Sequence, residues 1–247
     1  MKIGRNFGFT TDGDDMEKLE NKAREAGRTT QFSATEASDA MYYMALAGWD
    51  AEEMVEGLDG TLALAAASGE DLALVTDIVT DGLSMFGMEA DDASLFSDVL
   101  AKTSATTNTD VSQLGEALKY AGANASAMGL DIQQTSAILG LFADIGIKGS
   151  MAGTTLNAIL RDMTKKAEDG KMAIGDMTVS IYDGEGNMRD FGDILADVEK
   201  AMDGMSDSAR NNALQQYFGQ EAIRGMNILL EEGSDKYKDL GVLLNEN

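Results

Sequence analysis

Apolar residues recur every three or four positions through most of the chain, which is the spacing of one face of an α-helix. The rhythm is clear at Leu72, Val75, Val79, Leu83 and Phe86. It predicts a mainly α fold, a compact multi-helix bundle of short helices. We place helices near 14–26, 34–47, 51–67, 70–86, 90–103, 110–128, 132–145, 151–167, 191–204, 207–218, 220–232 and 235–245. The alternative of a break near Gly57–Gly60 stays open for the third.

One layout recurs where a predicted helix stops and the next begins: a glycine, an apolar residue and an acidic residue. The three copies are Gly48-Trp49-Asp50, Gly87-Met88-Glu89 and Gly129-Leu130-Asp131. Glycine suits the left-handed conformation that ends many helices, and the apolar residue packs back on the helix just completed. Asp50 and Asp131 have the capping-box spacing to an acceptor three residues later. Such frequent stops favour a compact bundle over one long rod.

The recurring turn raises the alternative of an α-solenoid, in which helix pairs stack as repeats. The three glycines lie 39 and 42 residues apart, and the helices between them do not match in sequence. We therefore interpret the pattern as repeated turn chemistry and not as a repeat protein.

One stretch breaks the helical pattern. Residues 178–182 alternate between polar and apolar, the Gly-rich letters DGEGN follow, and the apolar pattern resumes at Met188. This predicts a small β-hairpin near 177–191. The charged segment before it, residues 165–176, is the predicted boundary between subdomains. The division is an N-terminal arm and helix at 1–30, an all-α core at 31–168, and the hairpin with a C-terminal helical subdomain at 169–247; one continuous domain is the alternative.

The segment GIKGSMAGTTL, residues 146–156, concentrates glycines and other small side chains. It lacks the Gly-Lys-Ser/Thr order of a phosphate-binding loop and the glycine spacing of the dinucleotide fingerprint. We interpret it structurally, through Gly146, Gly149, Ser150, Ala152 and Gly153. Gly146 is expected to end one helix and Ser150 to be the N-cap of the next. Ala152 and Gly153 would thin the first turn so that another helix can cross closely.

The chain of 247 residues carries 19 Lys and Arg against 43 Asp and Glu, a formal net charge of −24. A surface this acidic repels phosphate backbones and anionic lipids, so we expect neither nucleic acid nor a membrane as a partner. No apolar run approaches the roughly 20 residues that span a bilayer. A basic protein partner and a plain solvated acidic surface both fit this charge.

The sequence contains no His and no Cys, which removes the commonest general base, the usual zinc ligands and all thiol chemistry. Asp183, Glu185 and Asn187 have the spacing of the first ligands of a calcium loop. The loop has Met188 at the sixth position and Ile194 at the twelfth, where calcium binding needs Gly and Glu. We predict no catalytic residues, no metal and no cofactor.

Three elements occur in a fixed order: EALKY at Glu116–Tyr120, GIKGSMAGTTL at Gly146–Leu156 and FGQEA at Phe218–Ala222. Together with the segments around them, they resemble the core region of tailed-bacteriophage tail tape measure proteins. The resemblance extends from about Phe32 to Leu230. Members of that family are much longer chains, so the sequence is interpreted as a core domain or a short prophage copy.

The resemblance implies a structural protein that templates tail length inside the tail tube and is released at infection. It implies three partners, namely the tail tube protein, the tail assembly chaperones and other tape measure copies. It also implies a location in the tube lumen of the virion tail after synthesis in the bacterial host cytoplasm. Two alternatives remain: an acidic helical adaptor that binds a basic protein, and a carboxylate-based hydrolase.

Overall fold

The computed structural model describes residues 13–167 and 169–245. Within these ranges it contains twelve α-helices, a 3₁₀ helix at Ala90–Asp92 and two β-strands. The helices are α1 (Gly13–Thr29), α2 (Ala34–Leu46), α3 (Ala51–Ser68), α4 (Leu72–Phe86), α5 (Ala93–Thr106), α6 (Val111–Ala127), α7 (Ile132–Asp144), α8 (Gly149–Lys166), α9 (Phe191–Ala201), α10 (Asp207–Tyr217), α11 (Gln220–Glu232) and α12 (Ser234–Asn245). The strands are β1 (Lys171–Ile174) and β2 (Met177–Ser180). The mainly α fold class is confirmed.

Helix α3 is continuous, so the alternative of a break within it is wrong. Its two glycines are there because neighbouring groups approach the helix closely. A Cβ atom on Gly60 would lie 2.6 Å from the backbone nitrogen of Ser94, and one on Gly57 would lie 2.3 Å from the ring of Trp49. Gly60 therefore lets α5 pack closely on α3, and Gly57 does the same for the turn between α2 and α3. Neither glycine interrupts the hydrogen bonds of α3.

From α1 to α8, each helix packs on the next helix and on the next but one. Two helices that are separated by one helix in the sequence run parallel wherever their contacts show a direction. Ile78 and Met85 of α4 face Gly115 and Gly122 of α6 in the same order along the chain. Successive helices thus stack in a regular way, while the interpretation of the glycine turns as repeated turn chemistry and not as a repeat protein stays a prediction.

Polar contacts join helices that are two apart in this stack. Lys22 of α1 pairs with Asp59 of α3, 37 residues later. Asn124 of α6 donates to Asn157 of α8, 33 residues later. Both contacts join residues that are far apart in the sequence, as expected where a third helix lies between the two partners.

The β-hairpin lies earlier than the sequence pattern indicates. Residues 171–174 pair antiparallel with residues 177–180 through a turn at Gly175. Around the DGEGN letters the chain forms a single isolated bridge, between Tyr182 and Met188. The predicted boundary segment thus contributes β1, since its apolar residues Met172 and Ile174 are buried.

The C-terminal helices cover one side of the stack. Helix α11 packs on α7 and α8, and α12 packs on α5, α7 and α9. Because α5, α6 and α8 also pack on α7, eleven of its thirteen residues are buried. Buried apolar residues from both parts belong to one core cluster. The division into separate subdomains stays a prediction.

Candidate functional site

The glycine stops share one geometry. At Gly48, Gly87, Gly129 and Gly146, φ is +99°, +63°, +84° and +88°. After each glycine, the next N–H donates to a carbonyl five residues back, as Ile147 does to Phe142 at 2.9 Å. This satisfies the free carbonyls at the helix end and turns the following apolar side chain inward.

An aspartate is the N-cap residue of two of the helices that follow these glycines, α3 and α7. The Oδ1 atom of Asp50 accepts from the amides of Glu52 and Glu53 at 2.9 and 3.0 Å, and Glu53 accepts from the Asp50 N–H at 2.7 Å. Asp131 and Gln134 form the same reciprocal pair before α7. These carboxylates satisfy helix N-termini. The Glu89 N–H likewise donates to the carboxylate three residues later, that of Asp92, but the element that follows is the 3₁₀ helix.

The prediction that Ser150 caps α8 is wrong. The N-cap residue is Lys148, whose side chain makes no capping hydrogen bond, and the helix begins at Gly149. Gly149 adopts φ of +57°, and a Cβ atom there would meet the carboxylate of Glu116 at 2.7 Å. Glycine at this position lets the chain enter the helix two residues earlier than the Ser150 cap would have placed its start.

The first turns of α8 lie directly against α6. A Cβ atom on Gly153 would be 2.2 Å from the carbonyl oxygen of Ala117 and 2.8 Å from the Cβ of Tyr120. Gly149 and Gly153 have the small-xxx-small spacing that lets two helix backbones approach closely. Ala152 beside them is buried. This is the close helix crossing expected from the small side chains of the segment.

The other side of α8 receives α11. The backbone N–H of Gly219, the N-cap of α11, donates to Asp162 Oδ2 at 2.8 Å. Further along, a Cβ atom on Gly225 would lie 2.5 Å from Thr155 Cγ2 and 2.7 Å from Ile159 Cδ1. Later residues of α11 thus contact earlier residues of α8, so these two helices are antiparallel.

The EALKY, GIKGSMAGTTL and FGQEA elements therefore meet on one helix. We call this assembly of 116–120, 146–156 and 218–222 the α8 junction. Sequence reasoning identified all three elements but missed Asp162, which joins the last of them to α8. The available signal was a carboxylate between the apolar residues Ile159 and Met163 on a helix with a buried face.

Polar groups at the junction are used in folding contacts. Burial acts to raise the pKa of Asp162, but the hydrogen bonds from Gly219 and Arg161 outweigh it, and the pKa of Asp162 is lowered. Its Oδ1 accepts from Arg161 Nε at 3.0 Å. Both carboxylate oxygens thus have donors, an arrangement that favours a fixed ionised acceptor over a proton-transferring group.

The calcium-like loop is likewise occupied by backbone contacts. Asp183 Oδ1 accepts from the amides of Glu185 and Asn187, each at 2.9 Å, and these bonds lower the pKa of Asp183. In the part of the chain that the structure describes, no group of three or more carboxylates is placed to hold a metal ion. Over the same residues, no helix combines the length and apolar character needed to cross a bilayer.

Comparison with known proteins agrees with the predicted resemblance to tape measure proteins. The family model for phage-related minor tail proteins matches residues 20–219. A tape measure protein of Pneumococcus phage Dp-1 is 36% identical over 223 residues, which cover 90% of this chain and 19% of that relative. A probable tape measure protein of Escherichia phage P2 is 28% identical over 230 residues, 92% of this chain and 28% of that relative.

The chain thus spans less than a third of the length of either relative. No solved structure matches it. The family match covers α2 to α10 completely, and with them the α6–α8 crossing and the hairpin. By this match, the chain belongs to the phage-related minor tail protein family.

Proposed function

We propose that this chain is a folded region of a tape measure protein, a structural component that templates tail length inside the tail tube and leaves at infection. The observation that carries the proposal is the 36% identity to a tape measure protein across 90% of the chain. The α8 junction supports it, because the elements that carry the resemblance serve packing and leave no arranged reaction centre among the described side chains.

The fold limits how this region would contribute to tail length. As one helix, the 33 residues that separate Asn124 from Asn157 would extend about 50 Å. In the structure their side chains lie 2.8 Å apart, because the chain returns to the same level through the antiparallel α7. The folded region therefore adds far less length per residue than a continuous helix.

The proposed partners are the tail tube protein, the tail assembly chaperones and other tape measure copies. The proposed location is the tube lumen of the virion tail, after synthesis in the host cytoplasm. In this setting the glycine stops and the acidic helix starts at Asp50 and Asp131 keep the region folded, and the protein's role is structural and not enzymatic.

Tail length in a phage that carries the full-length protein tests the proposal. Deletion of residues 13–245 in frame should give tails that are shorter, but by well under the about 350 Å that 233 helical residues would span. Unchanged tail length would contradict a role in templating. Shortening by 350 Å or more would contradict the folded state within the tube. Electron microscopy of purified tails measures both.

A further inference from the structure

A groove of about 1130 Å³ lies between α1, α2 and the start of α4. Aromatic and aliphatic side chains line it, including Phe32, Tyr42 and Leu72, which are partly buried against the core. Tyr43 lies at the groove with 36% of its surface exposed, and its ring meets that of Tyr42 edge to face. One turn further along α2, Leu46 is 49% exposed. Exposed apolar side chains such as Tyr43 and Leu46, placed beside a groove, are typical of a docking surface.

Acidic groups dominate the charge of the same groove. The lining carboxylates are those of Glu20, Glu36, Asp39, Glu70 and Asp71. Among the described lining residues, the one cation is Arg24, and it is paired with Glu20. Within residues 13–167 and 169–245, the carboxylates of Asp39 and Glu70 have neither an ion-pair nor a hydrogen-bond partner. They are therefore available to a cation brought by another molecule.

We propose that this groove binds a cationic amphipathic segment of a partner protein. Its apolar side chains would pack on Phe32, Tyr43 and Leu72, while its Lys or Arg residues would pair with Asp39 and Glu70. A cation over the exposed Tyr43 ring would add a cation–π contact. Charge complementarity favours this occupant over a second copy of the chain, since two copies of net charge −24 repel each other.

This proposal deepens the proposed function by giving the chemistry of one partner, but its test does not depend on tail length. The probe is a fluorescent amphipathic peptide of Leu and Lys, LKKLLKLLKKLLKL, with anisotropy recorded near physiological salt. The groove variant is Asp39→Asn with Glu70→Gln. Its matched control is Asp98→Asn with Glu56→Gln, which removes the same charge from exposed positions on α5 and α3.

We expect the groove variant to bind the peptide at least tenfold more weakly than the unaltered chain, and the control to bind it within twofold. Tyr43→Ser, which leaves the charge unchanged, should weaken binding about fivefold. Thermal melting confirms that each variant folds. Equal weakening by both double variants would overturn the proposal, because it would show general attraction to an acidic surface.

Two further outcomes would also overturn it. One is peptide binding that all three variants leave unchanged. The other is self-association in sedimentation that Tyr43→Ser abolishes, which would assign the groove to a second copy. Because binding is measured on the isolated chain and templating in the phage, failure of either proposal leaves the other standing.

Discussion

Asp162 of α8 accepts a 2.8 Å hydrogen bond from the backbone N–H of Gly219, the residue before α11. Asp162 is only 5% exposed and also receives the Arg161 side chain. A charged acceptor of this kind makes a stronger bond than a neutral one. The pair joins the FGQEA element to α8 and thereby holds the C-terminal helices on the stack.

Removing this acceptor should destabilise the protein. Asp162→Ala is expected to lower the free energy of unfolding by about 2–3 kcal/mol, because the Gly219 N–H loses a charged acceptor at a partly buried position. Asp162→Asn keeps an acceptor oxygen and should cost about 1 kcal/mol. Urea unfolding measures both. Asp98→Ala on the exposed face of α5 is the control, expected within about 0.5 kcal/mol of the unaltered chain; equal losses at the two positions would show that the bond to Gly219 has no special weight.

The same carboxylate should make stability depend on pH. The pKa of Asp162 is lowered in the folded protein, so its stabilisation is fully present above the ordinary Asp pKa of about 3.9. It is lost as the pH falls through the folded value. The difference in unfolding free energy between the unaltered chain and Asp162→Asn should therefore shrink as the pH is lowered from about 5 toward 2. A difference that is constant or grows in acid would contradict this assignment.

A side chain at Gly153 should separate α8 from α6. Gly153→Ala is expected to cost about 1–3 kcal/mol, because its Cβ would overlap the carbonyl of Ala117 and backbone must shift. Gly241→Ala in α12 is the matched control. Among the described residues outside the local helix backbone, nothing lies within 4 Å of a Cβ at Gly241, so the same substitution should be neutral or stabilise by up to about 1 kcal/mol. Chemical denaturation should show a lower free energy of unfolding for Gly153→Ala and an unchanged or higher one for Gly241→Ala. An unchanged free energy of unfolding for Gly153→Ala would refute the close crossing.

At the glycine stops the cost should come from backbone conformation alone. Gly129 has φ of +84°, and apart from its two chain neighbours no described residue has an atom within 4 Å of the position that a Cβ would take there. Gly129→Ala is expected to lower the unfolding free energy by about 1–2 kcal/mol, and Gly129→Asn by less, since Asn tolerates the left-handed region better. Thermal or urea unfolding of the two variants compares them. Equal effects of Ala and Asn would point to some cause other than φ.

Features with short-range causes could be predicted from the sequence. The turn at Gly48, Trp49 and Asp50 combines a left-handed glycine with a capping box, and all the groups involved lie within a few residues of each other. The hairpin could not be placed as well, because the chain offers two turn signals close together. Long-range contacts favour the first of them: the Ala173 N–H donates to the Tyr217 hydroxyl at 2.7 Å.

At the candidate site too, short-range features could be predicted from the sequence and long-range contacts could not. The small side chains at Gly149 and Gly153 indicated a close helix crossing, but not that α6 would be the partner. That choice depends on contacts between residues 33 positions apart, such as Asn124 and Asn157. The bond from Gly219 to Asp162 spans 57 positions, and no local pattern specifies it.

The most direct test of this account is the parallel register of α6 and α8, on which the stacked fold and the α8 junction depend. The chain has no cysteine, so Asn124→Cys with Asn157→Cys introduces the only two thiols. A short bis-maleimide should cross-link this pair within one chain in high yield. The control, Asn124→Cys with Ser150→Cys, moves the second thiol about 10 Å back along α8 and should cross-link poorly. If the control pair cross-linked better than Asn124→Cys with Asn157→Cys, or if neither pair cross-linked, the parallel register of α6 and α8 would be contradicted.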